Sequence, residues 1–101
     1  MTMVYELVRS RIRTGAEDEM LQLRPRMIAA VRERFTELID ARLIRLDDGS
    51  WLDLVAWSSR EAAERADASM SEIPEAAAMA ELIEEIVSLE HGVDSEPAAV
   101  Q

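Results

Sequence analysis

From residue 3 the chain alternates in the manner of a β-strand. In MVYELVRSRI one parity carries Val4, Glu6, Val8, Ser10 and Ile12, and the other carries Met3, Tyr5, Leu7, Arg9 and Arg11. This two-residue period in β-forming residues predicts a strand over 3–12. Thr14-Gly15 breaks it, and the acids of AEDEM suit the positive end of a helix. From 16 to 34 the period lengthens: Met20, Leu23, Met27, Ala30, Val31 and Phe35 recur every three or four positions. This predicts an amphipathic helix, kinked near Gln22 or Leu23 by Pro25.

Residues 38–46, LIDARLIRL, predict a second strand, and 51–57, WLDLVAW, a third. Asp47-Asp48-Gly49-Ser50 supplies the turn of a hairpin between them. Ser58 followed by Glu61 has capping-box spacing and predicts a short helix through Ser69. A second helical piece starts between Ser71 and Pro74 and runs through EAAAMAEL. The segment 83–93 fits either an extension of that helix or a fourth strand. The β-branched pair Ile86-Val87 and the stop at Gly92 favour the strand. The domain is expected to span 1–93, with 94–101 a flexible C-terminal tail.

The predicted order, β-α-β-β-α-β, is an α+β, ferredoxin-like antiparallel sheet with its helices on one face. Strands 2 and 3 are apolar on both parities, whereas a sheet with one wet face should alternate apolar with polar residues. A second copy of the chain is expected to cover the open face, giving a homodimer with two sheets packed face to face.

Composition narrows the chemistry. The 101 residues carry a net charge of −10 and no cysteine. Disulfides, thiolate nucleophiles and cysteine metal sites are therefore out, and nucleic acid and anionic membrane surfaces would be repelled. No apolar run is long enough to span a bilayer, and the N-terminus lacks signal-peptide character, so a cytoplasmic location is expected. There is no lysine and no asparagine; all eleven basic residues are arginine.

The segments RIRTGAEDEM and LIDARLIRLDDGSWLDLVAWSSREAAERA, with Trp57 and Ser59 at a strand end before an Ala-rich helix, resemble the antibiotic-biosynthesis-monooxygenase-like proteins. These belong to the dimeric α+β barrel superfamily. The likeness covers residues 3–92. It implies a ligand pocket between helices and sheet, and a cofactor-independent monooxygenase acting on a small aromatic or quinol-like compound. The alternative is a non-catalytic small-molecule-binding or stress-associated protein on the same scaffold. Haem-degrading members use an Asn, a Trp and a His where this chain has Val8, Ala66 and Ala76, so that mechanism is disfavoured.

Candidate chemistry is sparse. Glu6 is an acid on the parity of Val4, Val8 and Ile12, and a buried carboxyl with a raised pKa could act as acid or base; an exposed strand edge is the other reading. His91, the single histidine, could deprotonate a phenol or lie at the surface or interface. Trp57, Met27, Met70 and Met79 are candidate pocket-lining residues, with core packing as the alternative. Arg9 and Arg11 are expected to seek carboxylates at the interface, with Asp40 and Asp53 as candidates. Arg24 and Arg26 either sit on a solvated helix face or bind an anion. Glu81, Glu84, Glu85 and Glu90 do not cluster with a second histidine, so no metal site is expected, nor any cofactor.

Overall fold

The structure is a computed structural model that describes residues 3–95; most of the expected tail lies outside them. Strand β1 (Val4–Ile12) is followed by helix α1 (Glu17–Arg34), the hairpin β2 (Leu38–Arg45) and β3 (Trp51–Trp57), helix α2 (Arg60–Ser69), a 3-10 turn (Met70–Glu72), helix α3 (Pro74–Leu82) and strand β4 (Ile83–Val93). Residues 83–93 are a strand, not an extension of the helix. The sheet order is β2-β3-β1-β4, and every neighbouring pair is antiparallel. This is the expected α+β, ferredoxin-like arrangement.

Local chemistry sets the boundaries. Gly15 and Gly49 both have φ of 85°, a left-handed conformation that glycine adopts without steric penalty. Asp48 accepts from both the amide and the hydroxyl of Ser50, closing the β2–β3 turn. Three acids, Glu17, Asp18 and Glu19, occupy the first turn of α1, and Arg32 and Arg34 the last, matching the helix dipole at both ends. Pro25 is accommodated inside α1. The N-cap of α2 is Ser59 rather than the expected Ser58: its side chain accepts from the Ala62 amide at 3.1 Å. The Ser58 amide is held instead by the Glu37 carbonyl, which carries the chain one residue further before the helix begins.

The helices pack on one face of the sheet and build two apolar clusters. One joins Val31, Phe35 and Leu38 to Trp57, Ala62, Ala63 and Ala66 of α2, Ile73 and Ala76. The other joins Met20, Trp51 and Met79. Trp57 meets Phe35 edge-to-face at 6.4 Å, and the Trp51 indole donates to Glu17 at 3.0 Å. Both tryptophans are thus fixed by packing.

Two expected arginine partnerships differ. Arg9 and Arg11 reach Asp48, at 2.6 and 3.5 Å, and Arg11 also approaches Glu85. Asp40 pairs with Arg42 on its own strand. Asp53 lies on the helix-facing side, where Arg24 donates to it at 2.5 Å. Arg24 is therefore neither a solvated surface residue nor a free anion site: its side chain is 9% exposed. Strand parity alone could not anticipate this, because the partner comes from a helix above the sheet.

Candidate functional site

Glu6, Val8, Asp53, Val55 and Trp57 occupy one face of the central strands β1 and β3, where Glu6 pairs with Val55 and Val8 with Asp53. Above them, α1 contributes Met27, Ile28 and Val31, and α3 contributes Ala76 and Met79. Between the layers lies a cavity of about 230 Å³ whose wall is mostly apolar. Its polar lining is Glu6, Asp53 and Asp67. A dry apolar cavity of about 150 Å³ accepts benzene, and pockets for drug-sized ligands begin near 300 Å³. The volume of this cavity lies between those two values.

Two of the lining carboxyls, Glu6 and Asp67, come together. Helix α2 can approach the sheet closely because Ala62, Ala63 and Ala66, all fully buried, offer no side chain beyond Cβ. Asp67 follows Ala66 at the rim of that stripe and is carried towards β1. On the other side of β1, β4 places His91 directly opposite Glu6 in the ladder. His91 Nε2 lies 3.4 Å from Glu6 Oε2 and 3.7 Å from Asp67 Oδ2. Neither Glu6 Oε2 nor His91 Nε2 has an aligned hydrogen-bond partner among the described residues.

Electrostatics follow from this packing. The Glu6 side chain is 7% exposed, and its pKa is pushed up to about 8. Desolvation is the main cause; the Asp67 carboxyl, which shares hydrogen bonding with Glu6 and adds like charge, comes next. The Trp57 N–H acts against the rise, although it has no aligned partner of its own. Burial also raises Asp53, but the Arg24 guanidinium opposes the shift. Two of the three cavity carboxyls therefore differ: Asp53 is held by a cation, whereas Glu6 has Asp67 and His91 beside it.

Of the residues singled out in the sequence, Glu6 and His91 are brought together, and Trp57, Met27, Met70 and Met79 all line the cavity. Met20 belongs instead to the cluster around Trp51. Asp67 and Asp53 are the polar cavity residues that sequence reasoning missed. For Asp67 the available signal was its place beside the Ala62, Ala63 and Ala66 stripe. For Asp53 it was an acid on the same parity of β3 as Val55 and Trp57.

No protein-family model and no curated protein matches the sequence. Solved structures do. The cofactor-independent oxygenase SnoaB from Streptomyces nogalater is 24% identical, with a TM-score of 0.71 over 99% of this chain and 98% of that one. A Caulobacter crescentus protein assigned as an antibiotic biosynthesis monooxygenase is 15% identical, with a TM-score of 0.76 over 94% of this chain and 92% of that one. Rv0793 from Mycobacterium tuberculosis is 19% identical, with a TM-score of 0.66 over 98% of this chain and 99% of that one. The resemblance seen in the sequence thus holds in three dimensions, and at these identities it is a statement about fold.

Proposed function

We propose that the protein is an oxygenase for a small aromatic or quinol-like compound, with Glu6 as the general base. The observation that carries this reading is a buried, ionisable Glu6 facing a real cavity. The fold shared with a cofactor-independent oxygenase is in keeping with it. A phenol has a pKa of about 10. Proton transfer to a carboxylate of pKa about 8 is uphill by about 2 units, instead of more than 5 for an ordinary glutamate.

In this reading Glu6 takes the phenolic proton and His91, 3.4 Å behind it, passes the proton towards solvent. Charge from the phenolate is delocalised onto an unsaturated ring CH carbon ortho or para to the oxygen, and that carbon bonds to dioxygen, keeping its hydrogen. Once protonated, the resulting hydroperoxide loses water, taking that hydrogen, and leaves a carbonyl. The phenol becomes a quinone, one oxygen atom enters the product and the other leaves as water, so all the electrons come from the substrate. Trp57 and the methionines shape an apolar slot that keeps water from this step. Two copies are expected to pack through the outer sheet face, where Leu7, Leu52 and Leu54 are only partly buried and Ile44 is 40% exposed.

Oxygen uptake on a panel of reduced polyphenols and naphthohydroquinones tests the reading, with heat-killed protein as the autoxidation control. Uptake should require folded protein and saturate with substrate. Because the base must be ionised, kcat/KM should rise with pH and level off above about 8. Glu6→Gln should lower kcat by roughly 10²- to 10⁴-fold. Uptake unaffected by Glu6→Gln, or none across the panel, would overturn the assignment.

A further inference from the structure

The meeting of Glu6, Asp67 and His91 has a second chemical meaning. Their ligand atoms all lie within 4.8 Å of one another. His91 Nε2 is 3.4 Å from one carboxylate oxygen and 3.7 Å from the other. These separations are long for charge-assisted hydrogen bonds, which fall near 2.7–2.9 Å. They are close to the edge of a tetrahedron around a zinc ion: ligands about 2.1 Å from the metal stand about 3.4 Å apart.

The bonding pattern agrees. Glu6 Oε2 and His91 Nε2 are both buried, both lack an aligned partner among the described residues, and face the same point. The Glu6 side chain that aims into this point is more than nine-tenths buried. Two carboxylates and one imidazole would balance a divalent charge. The donors rule on identity as well. Magnesium and calcium prefer a shell of oxygens with several waters or carbonyls, whereas one imidazole and two carboxylates suit zinc or another first-row divalent ion.

We infer that Glu6, Asp67 and His91 form a binding site for a divalent transition metal, with zinc as the best match and the remaining coordination position facing the cavity. Sequence motifs do not show it because its three ligands come from β1, α2 and β4. Metal binding is measurable whether or not any quinol is oxidised, so this inference does not depend on the oxygenase reading. Where both hold, the metal takes the place of the proton on Glu6 and blocks the base.

Tag-free protein is the right material, since His91 is then the only histidine in the chain. Chelator-stripped protein titrated with Co²⁺ should develop the intense visible absorption of a four-coordinate ion, saturating at one per chain. Zn²⁺ should abolish that signal by displacement and raise the melting temperature. Asp67→Asn is the cleanest variant, because the Asp67 side chain is 38% exposed and its replacement leaves the core intact. It should weaken binding at least about tenfold, and His91→Asn should remove the cobalt signal, with circular dichroism confirming that both variants fold. Only the pale spectrum of hydrated cobalt, or cobalt binding unchanged in folded Asp67→Asn and His91→Asn, would overturn the assignment.

Discussion

Glu6 and Val8 sit two residues apart on the same face of β1, and burial acts on them in opposite ways. Val8 gains from leaving water, while Glu6 can be buried only by keeping a proton that an unfolded chain would release. Below about pH 4.5 both states hold that proton. Between 4.5 and about 8 the unfolded chain loses it and the folded protein does not. Folded protein therefore binds more protons across this window, and its stability falls as pH rises through it. In chelator-treated protein, urea unfolding should show a loss of up to a few kcal/mol between pH 5 and 9 that Glu6→Gln removes. If the two proteins ran parallel over this range, Glu6 would not be buried as described. Glu6 was visible in the sequence as an acid on an apolar parity. The Arg24–Asp53 pair was not, because strand period says which side a residue faces and nothing about what a helix lowers onto it.

At the level of elements, β1, α1, the hairpin and β4 followed from period and turn residues. The start of α2 followed only to within one residue: the Ser58–Glu61 spacing pointed to Ser58, while the Ser59 hydroxyl makes the bond. The more consequential feature of α2 is its smooth underside of Ala62, Ala63 and Ala66. Smallness here fixes how near Asp67 comes to Glu6. Ala63→Leu should force α2 outward and destabilise the fold by about 1–3 kcal/mol. The same change should move the Glu6 titration, followed by NMR of its side-chain carboxyl carbon, back towards 4.5. A leucine variant as stable as the parent would show that α2 is not seated as tightly as its alanines indicate.

For the whole molecule, one side of the sheet is sealed by helices and the other carries partly buried leucines beside surface ion pairs. No helix among the described residues is long and apolar enough to cross a membrane. A second copy of the chain is the expected cover. Light scattering at micromolar concentration should give twice the monomer mass, and Leu54→Glu should halve it by placing a charge in the middle of the contact. A monomeric parent protein would remove the case for paired sheets.

Strand β4 carries two residues, Val87 and Glu84, that have no counterpart opposite them on β1. Each shifts the pleat by half a cycle. His91 and Leu89 stand opposite Glu6 and Val8, even-numbered Ile86 stands opposite Ser10, and odd-numbered Ile83 again stands opposite Ile12. The strand is therefore in three phases. Dropping Val87 would leave every site residue in the chain, but β4 could then no longer keep His91 beside Glu6 and Ile83 of the cavity wall opposite Ile12 at once. The gain or loss of a single codon, with no substitution at all, is enough to join or separate the chemistry of this site.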